Sequence, residues 1–127
     1  MRQFANYIHL APSFRVSSVT NNTVVMKSGF TPDRFSTHNE VEPQEELTAK
    51  AAGKLYNFQV KLYVDKLTDA QKNIYANNAP VILILLDVET VDQVIIGTPD
   101  APAVISFVPG PNHDQLVIEF ASKTPFL

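Results

Sequence analysis

The clearest pattern in the chain lies between positions 54 and 65. Tyr56, Phe58, Val60, Leu62 and Val64 alternate with Asn57, Gln59, Lys61 and Asp65. A period of two puts the first set on one face of an extended strand and the second on the other. One covered face and one wetter face is the signature of an antiparallel sheet. Leu55 and Tyr63 fall on the wetter face. Tyr63 stands there among polar neighbours and is a candidate surface anchor, because tyrosine is enriched at interfaces. Residues 81–86, Val-Ile-Leu-Ile-Leu-Leu, are apolar at every position and predict a central strand covered on both sides. Between these segments, Thr68-Asp69-Ala70-Gln71 has the form of a capping box. Asp69 suits the positive end of the helix dipole. The spacing predicts one short α-helix near residues 69–77, stopping ahead of Ala79-Pro80. Ala70, Ile74 and Tyr75 are expected to face the core.

The remaining apolar segments are short and separated by turn residues. Residues 14–19 and 23–27 flank Thr20-Asn21-Asn22, and asparagine tolerates the left-handed backbone of a tight hairpin. Residues 93–96, 103–108 and 115–120 read as further strands, punctuated by Gly97-Thr98-Pro99 and Pro109-Gly110-Pro111. The sum is roughly seven or eight strands and one helix. This is a mainly β fold, a β-sandwich or open barrel of antiparallel strands. Residues 28–52 break the pattern. Gly29, Pro32 and Pro43 interrupt regular structure, and Asp33, Glu40, Glu42, Glu45 and Glu46 make the stretch polar. It reads as a long polar loop or arm, with a short helical turn from Glu45 to Ala52 ending at Gly53. Phe30 and Phe35 imply that the loop has something to pack against.

Composition narrows the picture. With 127 residues, 45% hydrophobic and 18% charged, the chain fits a single globular domain over residues 1–127. It contains no cysteine, which excludes disulfides, a thiol nucleophile and cysteine-bound zinc. Asn6 and His9 interrupt any leader-like run at the start, so a cleaved leader is not expected. The run at 81–86 is far short of the about 20 residues a spanning helix needs, so no membrane insertion is expected. Net charge is only −3, but it is unevenly spread. Residues 1–32 hold Arg2, Arg15 and Lys27 and no acid. Residues 73–122 hold Asp87, Glu89, Asp92, Asp100, Asp114 and Glu119 and no lysine or arginine. Sequence-specific nucleic-acid binding is disfavoured, because phosphate contacts need clustered basic residues.

The search for chemistry returns little. His9, His38 and His113 have no partner at helical metal-ligand spacing, and only a fold that gathers them would make a site. Asp87, Glu89 and Asp92 crowd one turn but lack the ligand number and glycine of a calcium loop. Gly29, Gly53, Gly97 and Gly110 are scattered, so no phosphate-binding loop exists, and no Gly-x-Ser-x-Gly elbow occurs. Glu40, Glu42, Glu45 and Glu46 could in principle supply paired acids, but the chain has no tryptophan to platform a sugar. No catalytic, cofactor-binding or metal-binding residue is therefore expected, and the chain does not read as an enzyme.

A cadence over residues 52–127 carries a resemblance. Gly53 leads into a long alternating strand, a short helix follows, and an apolar strand ends in Asp87. Then come Ile95-Ile96-Gly97-Thr98-Pro99 and a final strand running into Thr124-Pro125. In order and spacing this resembles small structural proteins of tailed phages and prophages of the Bacteroides group, from the head–tail neck (connector) and tail. The turn after Asp87 lacks the Asn-Gly of that pattern, and residues 1–51 lie outside it. The resemblance implies a non-enzymatic virion part, present in several copies and assembled in the host bacterial cytoplasm. Rings and tubes need two different complementary surfaces. The basic candidates are Arg2, Arg15 and Lys27, with Phe30 and Phe35 of the polar loop. The facing candidates are Asp87, Glu89 and Asp92, with Tyr63 as a further anchor. The expected partners are copies of the chain and other virion proteins. A carbohydrate- or peptide-binding β-sandwich module is the alternative.

Overall fold

In the computed structural model, residues 3–20, 22–50, 53–75 and 78–122 are described. Their strands are β1 (Phe4–Pro12), β2 (Val16–Thr20), β3 (Thr23–Met26), β4 (Asp33–Ser36), β5 (Gln44–Lys50), β6 (Gly53–Asp65), β7 (Ala79–Asp87), β8 (Gln93–Ile96), β9 (Ala103–Val108) and β10 (His113–Ser122). One helix, α1 (Asp69–Ile74), lies between β6 and β7. The main sheet has the order β4-β1-β7-β9-β10-β6-β5, with β8 also on β7 and every pairing antiparallel. Thr37, just past β4, bridges Val64 of β6. The hydrogen-bonded path thus returns to its start, and the sheet is rolled into a barrel with a narrow seam between β4 and β6.

β6 alternates as its sequence requires. Phe58, Val60, Leu62 and Val64 are buried, while Lys61, Tyr63 and Asp65 are exposed. They meet Ile8 and Leu10 of β1, Leu83 and Leu85 of β7, Ile105 of β9, and Leu116 and Ile118 of β10 in one continuous core. β7 is apolar from Val81 to Leu86 because both its faces are covered there. Val81, Leu83 and Leu85 belong to the barrel core, whereas Ile82 belongs to a second cluster with Ala11 and Val16. Val19, Val24, Met26 and Ile95 pack on that cluster. The β2–β3 hairpin is therefore a lid on the outside of β7. Asn22 in its turn takes φ 58, as its residue type allows.

β8 and β9 both run antiparallel along β7, pairing at Leu83–Ile96 and Val81–Ala103. The chain leaves β7 only for the excursion 97–102. Gly97 begins it at φ 97, and a Cβ there would lie 2.9 Å from the Ala103 nitrogen and 3.2 Å from the Val81 oxygen. Only glycine fits that backbone and that approach.

The capping box forms as predicted. Gln71 N–H donates to Thr68 Oγ1 at 3.2 Å, and Thr68 N–H donates to Gln71 Oε1 at 3.0 Å. The helix ends at Ile74; residues 76–77 of the expected span lie outside the described residues. Tyr75 is fully buried and Ile74 packs on the core, but Ala70 is exposed, because so short a helix turns only its last residues inward.

The polar stretch 28–52 is not a long loop. It supplies β4 and β5, and the expected helical turn at Glu45 is part of β5; residues 51–52 lie outside the described residues. β4 turns one large apolar side chain, Phe35, into the core. β5 pairs only with β6 among the described residues, so it is an edge strand and keeps polar side chains.

Candidate functional site

The barrel's two ends differ. β1 runs from Phe4 opposite Asp87 to Pro12 opposite Val81. Residues after Pro12 therefore lie at one end and residues after Asp87 at the other. At the first end, Ser13–Arg15 form a single 3-10 turn. The Arg15 guanidinium lies 5.6 Å from the Phe14 ring centroid and 4.9 Å from that of Phe30, both cation–π contacts. Phe14 is 61% exposed and Phe30 43%. Arg15 Nε is buried without a hydrogen-bond partner among the described residues. The Arg15 carbonyl accepts from Lys27 N–H at 2.9 Å, and the Lys27 carbonyl from Phe30 N–H at 3.1 Å, which fixes the patch. At the second end, Glu40, Glu42 and Glu89 border a cleft of about 370 Å³ floored by Phe4 and Val41.

Of the sequence-predicted interface residues, Arg15, Lys27 and Phe30 come together at the first end. Glu89 and Asp92 are exposed on the β7–β8 turn at the second. Tyr63 is exposed on β6, its hydroxyl accepting from Gln115 Nε2 at 3.2 Å. Arg2 lies outside the described residues. Phe35 and Asp87 are corrections. Phe35 is buried edge-to-face on Tyr75, with ring centroids 5.6 Å apart, because inward is the direction its alternation in β4 dictates. Asp87 is buried, and its Oδ1 accepts from Glu89 N–H at 3.0 Å and Thr90 N–H at 3.4 Å. It shapes the turn and is withdrawn from the surface. Phe14 was missed; its place beside Arg15 was the available signal.

Two of the three histidines meet at the seam. His113 opens β10 directly opposite Asp65, the last residue of β6. His38 follows the closing bridge, its N–H donating to the Tyr63 carbonyl at 2.8 Å. His38 Nε2 lies 2.7 Å from Asp65 Oδ1, and the His38 and His113 rings lie 4.1 Å apart. One ligating atom from each of the three residues falls within 4.8 Å of the others, and all three side chains are exposed. The sequence holds no signal of this, since the three positions are neighbours only through strand register. A cleft of about 320 Å³, lined by Tyr63, Pro109 and Gln115, opens beside His113. His9 stays apart, on β1. Partial burial and the nearby Arg34 hold its pKa below the usual histidine value.

The buried ionisable groups are committed to structure. Asp114 is fully buried and accepts from Leu67 N–H at 2.8 Å and Lys66 Nζ at 2.9 Å. Burial alone would raise its pKa, but the bonds from Leu67, Lys66 and Gly110 outweigh it and hold the carboxyl below its usual value. Tyr75 donates to Asp33, and burial first and that bond second push its pKa upward. Among the described residues, the lining of a concavity of about 560 Å³ over β9 and β10 has one ionisable side chain, Glu119. Among the described residues no helix is long and apolar enough to cross a membrane. No protein-family model, curated protein or solved structure matches the chain.

Proposed function

We propose that this chain is a non-enzymatic structural subunit of a tailed-phage virion, a part of the neck or tail that assembles head-to-tail with copies of itself and with other virion proteins. The virion context rests on the resemblance of residues 52–127. The mode of assembly rests on one observation: a cationic aromatic patch of Phe14, Arg15, Lys27 and Phe30 at one barrel end, and a cleft bordered by Glu40, Glu42 and Glu89 at the other. Unlike ends of opposite charge favour a heterologous contact, which propagates into rings or stacked tubes. Exposed phenylalanines around an arginine are the composition of an interface centre, and the carboxylates supply steering.

Size-exclusion chromatography with light scattering tests this over a range of concentrations. The chain should associate beyond a monomer at low salt and dissociate in part at high salt. Lys27→Glu and Glu89→Lys should each weaken association, and the two variants mixed together should regain it. A monomer at every concentration that binds glycans or peptides would overturn the proposal in favour of a ligand-binding module. A portal or tape-measure gene beside this one would support the virion setting.

A further inference from the structure

We infer that His38, Asp65 and His113 form a binding site for a zinc ion, placed across the seam that closes the barrel. The three donors come from three chain segments that the fold holds side by side. His113 and Asp65 are register partners on β10 and β6, and the His38 backbone is bonded to Tyr63 of β6. Their backbones are therefore fixed, while the side chains are exposed and able to adjust. Zinc takes imidazole nitrogen and carboxylate oxygen at about 2.0–2.2 Å, so ligand atoms in a tetrahedral site stand about 3.3 Å apart. The His38–Asp65 separation of 2.7 Å and the overall limit of 4.8 Å bracket that spacing, and rotation of exposed side chains suffices to reach it.

The donor chemistry selects the metal. Two imidazoles and one carboxylate suit zinc and its neighbours, whereas calcium and magnesium need oxygen ligands. Asp65 has no lysine or arginine partner in a salt bridge among the described residues; its partner is His38. Lys66, next in sequence, is directed to Asp114 and the Gly110 carbonyl instead. The carboxylate is thus left to the two imidazoles. A bound ion would tie the segment after β4 to β6 and β10, and its fourth position would face solvent, open to water or a partner's side chain.

Calorimetric titration of zinc chloride into the full chain, previously treated with chelator, tests the inference. One ion per chain should bind in the micromolar range and raise the melting temperature, with EDTA reversing both. Magnesium chloride should do neither. His38→Gln, His113→Gln and Asp65→Asn should each weaken binding at least about tenfold, while His9→Gln leaves it unchanged. In NMR spectra the His38 and His113 ring signals should move with zinc and those of His9 should not. No binding up to millimolar zinc, or binding unaffected by the His38 and His113 variants, would overturn the site. Because the readout is metal binding by a single chain, its failure leaves the assembly proposal standing, and the reverse also holds.

Discussion

The strand β7 and the seam between β4 and β6 both join neighbouring strands of one barrel, by opposite means. β7 is bonded to β1, β8 and β9, and residues Val81–Leu85 are buried under side chains from both sides. The seam has one backbone bridge, Thr37–Val64, and beyond it a side chain stands in for a strand. The Asn39 amide accepts from Tyr63 N–H at 2.9 Å and donates to the Lys61 carbonyl at 3.1 Å, filling the edge of β6 past the point where β5 pairing ends at Gln59. Burial of a large aliphatic side chain contributes about 1.5–3 kcal/mol, against about 1 kcal/mol for a hydrogen bond open to water. The barrel should therefore open first at the seam, which is also where the histidine centre lies.

The largest test of this contrast lies at β7. Leu83 is fully buried in the barrel core and pairs with Leu10 and Ile96. Leu83→Ala should lower unfolding stability by about 3–4 kcal/mol, measured by urea denaturation. A loss under about 1 kcal/mol would mean that the wall yields as readily as the seam.

Asp114 lies between the extremes, a buried charge held by hydrogen bonds. Asp114→Ala would strand the Leu67 and Gly110 N–H groups and should cost about 3 kcal/mol. The same group sets an acid dependence. Its folded pKa lies below its ordinary value of 3.8, so near that pH the unfolded chain binds more protons and stability rises with pH. The contribution is complete above the ordinary value and is lost as pH falls through the folded one. Stability curves of the wild type and Asp114→Asn should therefore converge on acidification below about pH 4. Parallel curves there would show that the carboxylate is not held as its bonds imply.

The same contrast divides the features that the amino-acid sequence states from those that it hides. Where apolar burial dictates structure, the residues state it: the alternation of β6, the doubly covered β7 and the outer hairpin follow from residue type and spacing, as does one local hydrogen-bond motif, the capping box at Thr68. Where strand register and the other hydrogen bonds dictate structure, they do not. β5 has the composition of a loop because an edge strand needs no apolar face, and β4 turns in only Phe35. Asp87 and Asp114 read as surface acids because no local pattern reveals that backbone amides will enclose them. The uneven spread of charge was legible along the chain, but the placement of Arg15 and Lys27 at one barrel end and of Glu40, Glu42 and Glu89 at the other was not. His38 and His113 meet only because a six-strand path, β4-β1-β7-β9-β10-β6, closes on itself.

The smallest effect is expected at the seam. Asn39→Ala removes the donor and the acceptor that finish the β6 edge, and both stranded groups are near solvent, where water replaces part of what is lost. The global cost should be about 1 kcal/mol. The local effect should be larger in proportion, with faster hydrogen exchange at the Tyr63 amide while Leu83 and Leu85 exchange as before. Asn39→Asp keeps the acceptor for Tyr63 N–H and loses the donor to Lys61, so it should protect the Tyr63 amide better than alanine does. Equal acceleration at Tyr63 and Leu83 would mean that the barrel opens as a unit and that wall and seam share one stability.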